Sequence, residues 1–238
     1  MNAINIERLT KAFDGKPVFV DLDLVVAQGE TVAVLGPSGC GKSTLLRCIA
    51  GLERPTGGTA RAEGDVGYVF QEPRLLPWLN VEKNVRFAAR DDVERARVGG
   101  VLGLTGLHDA ARLLPKQLSG GMAQRTALAR TLVRNPSILL LDEPLAALDA
   151  LRRMDLQAAL ASIIATLYAT ALLVTHDVDE ALYLADRIVV LGGSPSRIET
   201  ELVVPLNARR RRDADLTPER TTLLRALGVE DHLPSFSI

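Results

Sequence analysis

One glycine-rich stretch constrains the fold of this chain more than any other: Gly36-Pro37-Ser38-Gly39-Cys40-Gly41-Lys42-Ser43-Thr44. The apolar, β-branched residues 31–35 precede it and predict a buried strand, and residues 45–50 predict the first turns of a helix. A strand, a glycine-rich turn and a helix in this order are typical of a phosphate-binding loop. The alternative is a glycine-rich turn that binds nothing.

The chemistry of a phosphate site follows from these residue types. Glycines let the backbone curve around an anion with its N–H groups pointing inward, and the helix N-terminus adds a positive partial charge. Lys42 supplies a point charge for the β- and γ-phosphates of a nucleotide. Ser43 supplies a hydroxyl group for Mg²⁺.

Length and composition bound the other possibilities. A chain of 238 residues can form one large domain, or one domain with an inserted subdomain. Its net charge of −1 gives no sign of nucleic-acid binding, and none is expected. It has two cysteines, one of them within the glycine-rich stretch, which favours a reducing cytosol over a disulfide framework. The N-terminal residues do not have the pattern of a signal peptide.

Residues 158–174 carry no formal charge and need to be weighed as a membrane span. The stretch is short for a span and contains Ser162, Thr166 and Thr170. A helix that ends near Tyr168, followed by a buried strand over residues 171–175, explains it better.

A continuous apolar run over residues 138–141 predicts a central parallel strand that ends in Asp142-Glu143-Pro144. Carboxylates at the carboxyl edge of such a strand are well placed for chemistry. As neighbours on a strand, Asp142 and Glu143 are expected to point in opposite directions. Pairs of purely structural carboxylates also occur. Gln71 after the strand 66–70, and His176 after the strand 171–175, are unremarkable in isolation.

Several other elements are predicted from local patterns. Ile4, Ile6 and Leu9 alternate with polar residues and suggest an edge strand, which is followed by a turn at Asp14-Gly15. Phe13 could stack on an adenine ring or belong to the core, and its position does not distinguish the two. Further segments are predicted as strands over 21–26 and 187–191, and as helices over 81–90, 93–102, 109–114, 123–133, 151–168, 178–185 and from Thr217.

The run over residues 72–79, which includes the apolar segment Leu75-Leu76-Pro77-Trp78-Leu79, cannot form a regular helix because two prolines, Pro73 and Pro77, interrupt it. It is either packed inside the protein or offered to a partner, with Trp78 as an anchor or as an internal packing residue. The run Arg209-Arg210-Arg211-Arg212 is interpreted as a solvated link, with contact to anionic lipid or a partner as the alternative.

Taken together, these features resemble the ATP-binding subunits of ABC transporters over nearly the whole chain. The resemblance rests on the loop 36–44, Gln71, Leu118-Ser119-Gly120-Gly121-Met122, the strand 138–144, Ala147-Leu148-Asp149, and His176. The signature segment departs from the family at Met122, where glutamine is most common. That side chain is not the main phosphate contact, so activity is expected to be retained.

The resemblance implies an α/β fold, a P-loop NTPase (RecA-like) core with an N-terminal antiparallel β subdomain and an inserted α-helical subdomain. The core with its β subdomain would comprise residues 1–72 and 134–205, and the helical signature subdomain residues 73–133. Residues 206–238 would form a C-terminal tail with a short helix.

The resemblance also implies ATP and Mg²⁺ as ligands. It gives Glu143 the role of general base, with His176 at the γ-phosphate and Gln71 beside the attacking water. Metal binding would fall to Ser43, Gln71 and Asp142. The nucleotide would be held by the glycine-rich stretch and Phe13 of one copy and by Ser119, Gly120, Gly121 and Asp149 of a second copy, in a head-to-tail dimer that sandwiches two ATP molecules.

The remaining expectations concern partners. The family delivers its energy to integral membrane permease subunits, here through the segment from Leu75 to Leu79, and indirectly to a solute-binding protein. The chain would therefore lie on the cytoplasmic face of the cell membrane. Residues 70–78 look like those of the nitrate, taurine and aliphatic sulfonate importer ATPases. The short link over residues 55–68, the compact helical insert and the arginine-rich tail after Val204-Pro205 look most like the aliphatic sulfonate branch. Alternatives are an ABC ATPase of a non-transport cell-envelope complex, a P-loop small-molecule kinase and a purely structural ATP-binding module.

Overall fold

A computed structural model describes residues 1–146, 150–205 and 215–229 of the chain, apart from the side chains of residues 150–152. Asp149 and the run Arg209–Arg212 therefore lie outside the described residues. Within the described part, no helix combines the length and the apolar character that a membrane crossing needs.

A six-stranded sheet forms the centre of the molecule, with strand order β5-β6-β7-β3-β8-β9. The first five of these strands run parallel, and β9 is antiparallel to β8. The strands are β3 (Thr31–Leu35), β5 (Val66–Val69), β6 (Ile138–Asp142), β7 (Thr170–Val174), β8 (Arg187–Gly192) and β9 (Arg197–Val203). Every residue of β3, β6 and β7 is buried, because the sheet is covered on both faces.

The two faces of this sheet contribute to separate apolar clusters. Leu35, Leu141 and Leu173 belong to one cluster, and the alternate residues Val34, Leu140 and Leu172 belong to the other. This follows from the two-residue period of a strand. The helices are α1 (Lys42–Ile49), α2 (Val81–Ala88), α3 (Asp92–Ala96), α4 (Val98–Leu104), α5 (Gly120–Leu132), α6 (Ala150–Leu167), α7 (Val178–Leu184) and α8 (Thr217–Ala226).

A second, antiparallel sheet lies at the start of the chain and has the order β2-β1-β4. Its strands are β1 (Asn2–Phe13), β2 (Lys16–Ala27) and β4 (Gly57–Ala62). The predicted turn is confirmed, since Asp14 and Gly15 both have positive φ, 48° and 77°. The prediction of an edge strand at Ile4, Ile6 and Leu9 is wrong: β1 is the central strand, because β4 returns to pair with its other side.

Two segments of the helical region differ from expectation. The predicted helix over 93–102 is divided into α3 and α4 at Arg97, and the predicted helix over 109–114 is a single 3-10 turn at His108–Ala110. Helices α2 to α5 all lie between β5 and β6 in the chain. Helix α6 ends before β7 begins, which agrees with the interpretation of residues 158–174 as a helix followed by a strand.

Candidate functional site

The candidate site lies at the carboxyl ends of four neighbouring parallel strands. Strands β5, β6, β7 and β3 are adjacent, and each is followed by residues that face one cavity of about 440 Å³. The carboxyl edge of a parallel sheet is where α/β proteins bind their ligands. The cavity is lined by Ser38, Gly39, Gly41, Lys42, Ser43, Thr44, Gln71, Glu143 and His176.

The glycine-rich loop between β3 and α1 has a backbone that only glycine accommodates. Gly39 and Gly41 have φ values of 82° and 98°, and a Cβ atom on Gly41 would overlap the Val18 side chain. A Cβ atom on Gly36 would lie 2.7 Å from the carbonyl oxygen of Leu191. Gly41 is the N-cap of α1 and provides no side-chain cap, so the first N–H groups of the helix remain available to a ligand.

Lys42 is almost wholly buried, with 6% of its surface exposed. Its ammonium group donates to the carbonyl oxygens of Gly36, at 2.8 Å, and Pro37, at 2.9 Å. The charge is thus held at the loop without a carboxylate partner among these contacts. A buried ammonium group beside open backbone N–H groups fits a polyphosphate anion.

Asp142 ends β6 and is 3% exposed. Its Oδ1 accepts a hydrogen bond from the Ser43 hydroxyl at 2.7 Å, and its Oδ2 accepts one from the Tyr68 hydroxyl at 2.9 Å. A carboxylate and a hydroxyl group in contact offer the hard oxygen ligands that Mg²⁺ prefers, so this pair fits the metal. Burial, the adjacent carboxylate and this hydrogen bond together raise the pKa of Tyr68, so its hydroxyl group stays protonated well into the alkaline range.

Glu143 lies just beyond the strand, with a φ of 45°. The prediction that both carboxylates belong to the strand is therefore wrong, and the left-handed backbone of Glu143 separates the two side chains instead. Gln71 Nε2 donates to Glu143 Oε2 at 3.1 Å, and His176 Nδ1 lies 3.4 Å from the same oxygen. Gln71 follows Val69, the last residue of β5, by two positions. The structure therefore brings Gln71, Glu143 and His176 together at the cavity.

The loop that carries His176 is fixed by residues that the sequence analysis missed. The buried Thr175 hydroxyl donates to Glu180 Oε2 at 2.5 Å and accepts the Asp177 N–H at 3.0 Å. Asp177 in turn caps α7 by accepting the N–H groups of Asp179 and Glu180. Burial raises the pKa of Glu180 to about 7. A threonine and an aspartate on either side of His176 were the available signal, since both residue types cap and brace turns.

Phe13 lies at the end of β1 and is 45% exposed. Its exposure excludes the interpretation of Phe13 as a core residue. The Lys11 ammonium group lies 4.4 Å from the centre of its ring and also binds Glu53 at 2.7 Å and the Arg54 carbonyl at 2.9 Å. The aromatic ring is thus presented to solvent over an anchored cation.

The signature segment lies elsewhere on the surface, at the N-terminus of α5. Ser119 is the N-cap, and its hydroxyl accepts the Met122 N–H at 3.3 Å. Gly120 is exposed and Gly121 is buried. The signature residues do not line the cavity of the glycine-rich loop, whose lining comes from the other elements described above.

The proline-broken segment after Gln71 is also accessible. Trp78 is 71% exposed, which excludes an internal packing role. The segment is held by the buried Asn84, which accepts the Leu76 N–H at 2.8 Å and donates to the carbonyl oxygens of Leu76, at 3.1 Å, and Leu79, at 2.8 Å. Nearby, a groove of about 370 Å³ has walls that include Leu52, Phe70, Ala88 and Arg130.

Comparison with known proteins agrees with this geometry. The ABC transporter family matches residues 19–146. "Aliphatic sulfonates import ATP-binding protein SsuB 1" of Pseudomonas savastanoi pv. phaseolicola is 53% identical over 212 residues, covering 88% of this chain and 90% of that protein. The protein of the same name from Xanthomonas axonopodis pv. citri is 48% identical and covers 91% and 93%.

Among solved structures, the dimeric post-hydrolysis state of the ATP-binding cassette MJ0796 bound to ADP and Pi is 30% identical, with a TM-score of 0.74. The match covers 85% of this chain and 99% of that one. The dimeric structure of MJ0796, described as a bacterial ABC transporter cassette, gives a TM-score of 0.75 over the same shares. The fold, the site and these relatives agree: the chain belongs to the ABC transporter family, as an ATP-hydrolysing subunit.

Proposed function

We propose that this chain couples ATP hydrolysis to the import of aliphatic sulfonates. One observation carries the proposal: six polar side chains converge at the carboxyl edge of the sheet. They are those of Lys42, Ser43, Gln71, Asp142, Glu143 and His176. The substrate class rests on relatives about half identical over most of the chain, whose names state aliphatic sulfonate import. The permease and a solute-binding protein would bind the sulfonate itself. The site of this chain would bind only the nucleotide.

In this proposal the phosphates of ATP bind at the glycine-rich loop, with Lys42 as their buried counter-charge. Phe13 offers a face for the adenine ring. Bound Mg²⁺ would neutralise phosphate charge. Its ligands would be Ser43, Asp142 and Gln71.

Glu143 is the proposed general base. Gln71 and His176 both contact one oxygen of its carboxylate, Oε2, and these contacts orient the carboxylate at the cavity, where it would deprotonate a water molecule. Gln71 and His176 also line the cavity, so each can contact the water molecule or the γ-phosphate.

A second copy of the chain is proposed to complete the site. The Ser119–Gly120 end of α5 is accessible and offers N–H groups of a helix N-terminus, but it does not reach the cavity of its own chain. A head-to-tail dimer would place it over the nucleotide of its partner. Asp149 is assigned to the same interface. ATP then favours the closed dimer because it binds that state more tightly.

The permease is proposed to dock at the groove and at the segment that ends in Leu79. Leu52 offers exposed apolar surface at the wall of this groove, and Trp78 offers it on the segment, which Asn84 holds in place. The chain would accordingly lie at the cytoplasmic face of the membrane. We further propose that residues 73–133 act as a helical subdomain against the core of residues 1–72 and 134–205.

The decisive experiment is deletion of the gene in its own host. We expect growth to fail with an alkanesulfonate as the only sulfur source and to remain normal with sulfate. A plasmid with the natural gene restores growth, and one with Glu143→Gln does not. Failure on taurine or nitrate alone would reassign the substrate. Normal growth on every sulfur and nitrogen source would contradict the importer and favour the cell-envelope alternative.

A further inference from the structure

Tyr68 contacts the proposed metal ligand Asp142 and also lines the groove near the Leu75–Leu79 segment. Its hydroxyl group donates to Asp142 Oδ2 at 2.9 Å, while the Ser43 hydroxyl occupies the other oxygen of the same carboxylate. Asp142 is therefore oriented from both sides. Ser43 is itself a proposed metal ligand. Tyr68 is not, so its hydroxyl group can act on the metal only through Asp142.

The ring of Tyr68 forms part of the wall of the groove at which the permease is proposed to dock. It contacts the ring of Phe70, with 4.3 Å between the ring centres, and the Arg74 guanidinium lies 4.8 Å from the centre of Phe70. These three side chains form a contiguous series from the buried carboxylate to the surface. A molecule in the groove would therefore touch the same residue that orients Asp142.

Helix α5 holds the backbone of this series in place. Thr131 donates to the Tyr68 carbonyl oxygen at 3.2 Å, and Gln124 donates to that of Phe70 at 3.4 Å. Arg130 donates to the carbonyl oxygen of Arg74 at 2.8 Å. The backbone is fixed at three points, so displacement of the Tyr68 ring must be taken up by its side-chain torsions and by its hydroxyl contact.

We propose that Tyr68 is a positioning residue that links the wall of the groove to Asp142. Its hydroxyl group orients the carboxylate for Mg²⁺, and its ring contacts the permease segment that is proposed to bind in the groove. The inference rests on the proposed metal role of Asp142. Residues that orient a metal ligand through a hydrogen bond commonly change metal affinity by about tenfold or more when removed.

The test is Tyr68→Phe, which keeps the ring and removes only the hydroxyl group. Mn²⁺ serves as the probe and is titrated into the ADP-loaded protein, with free Mn²⁺ followed by electron paramagnetic resonance. We expect the affinity for Mn²⁺ to fall by about tenfold. The affinity for ADP in EDTA, measured by calorimetry, should stay unchanged, which a merely structural role would not predict.

The matched control is Tyr168→Phe, since Tyr168 is 88% exposed at the end of α6. It should leave both affinities unchanged. Equal Mn²⁺ affinities in Tyr68→Phe and the natural protein would overturn the inference while leaving the proposed function intact. Absence of Mn²⁺ binding by the natural ADP-loaded protein would overturn both.

The link to the groove is tested by Ala88→Trp, which places a large ring in the groove beside Tyr68. We expect Mn²⁺ affinity to fall at least threefold in the natural background and not to fall further in Tyr68→Phe. Thermal unfolding with and without ADP checks that both variants are folded. An equal effect in the two backgrounds, or none in either, would overturn the link.

Discussion

The chain presents two helix N-termini of different construction, those of α1 and α5. The N-cap of α1 is Gly41, which has no side chain to cap the helix, and the buried Lys42 is the first helical residue. Helix α5 begins at Ser119, whose own hydroxyl group satisfies the Met122 N–H. The first end has a charge and open donors within a walled cavity, whereas the second is partly capped and has an exposed Gly120.

The difference indicates how the two ends divide one task. An anion can be held by α1 within a single chain, because cavity, charge and N–H groups all come from it. The α5 end does not line that cavity, and its N-cap hydroxyl already occupies one of its N–H donors. It can therefore contribute to a site whose main part belongs to another molecule. Substitutions at the two helix ends should distinguish nucleotide binding by α1 from dimer formation through α5.

The largest effect is expected for Glu143→Gln, which leaves both helix ends intact and removes the base. Turnover should fall about 10³-fold, while ATP affinity is retained. Light scattering with ATP and Mg²⁺ should then show a stable dimer. The exposed Glu63 provides the control, Glu63→Gln, with normal turnover. A Glu143→Gln protein that stays monomeric under these conditions would contradict the shared site.

Lys42→Ala acts on the α1 end alone. We expect ATP affinity in EDTA to fall about 100-fold, equivalent to about 2.7 kcal/mol, because the buried counter-charge of the phosphates is lost. Fluorescence titration with a labelled nucleotide measures it. Lys83→Ala, on the exposed side of α2, should bind as the natural protein does. A decrease of less than threefold for Lys42→Ala would show that the phosphates lie elsewhere.

Ser119→Ala acts on the α5 end alone. In the Glu143→Gln background, the dissociation constant of the ATP-bound dimer should rise about tenfold, and ATP affinity of the monomer should not change. Loss of the cap also lowers the free energy of unfolding by about 1 kcal/mol, which chemical denaturation would detect. Ser162→Ala, at an exposed position of α6, is the control. A change in monomer affinity would mean that α5 acts within its own chain.

The smallest effect concerns Cys40 in the loop before α1. Burial raises the pKa of its thiol above the ordinary value, so alkylation should be slow at pH 7 and should continue to accelerate well into the alkaline range. ATP should slow this reaction severalfold. Cys48, buried on α1, is the internal control, since ATP should not alter its labelling. Mass spectrometry resolves the two, and equal rates at Cys40 with and without ATP would contradict its placement.

The sequence predicts the parts of the fold that depend on local patterns. Strands β3, β6 and β7 are continuous apolar runs because both of their faces are buried, and the residues after them converge because parallel strands share an edge. Strand β4 was missed because Gly57 and Gly58 disfavour a strand, and it forms through its pairing with β1. Without β4, β1 could only be interpreted as an edge strand.

The contacts within the site were less predictable than its members. The sequence analysis assigned Glu143 to the strand. Its left-handed backbone could not be predicted, because a positive φ is uncommon for glutamate and has no sequence signal there. The roles of Tyr68 and Glu180 depend on distances between elements far apart in sequence. Strand β9 did carry a signal, the alternation of polar residues with Ile198 and Leu202, which was overlooked.

The hydrogen bonds between α5 and residues 68–74 have a mechanical consequence. Three side chains of this helix, those of Gln124, Arg130 and Thr131, donate to the backbone carbonyl groups of residues 70, 74 and 68. These hydrogen bonds join α5 to the groove wall, so we expect the two to move together. Ser119 lies at the N-terminal end of the same helix. A second molecule that displaced this end of α5 would therefore also displace the groove wall, because side chains of the helix are hydrogen-bonded directly to the backbone of that wall.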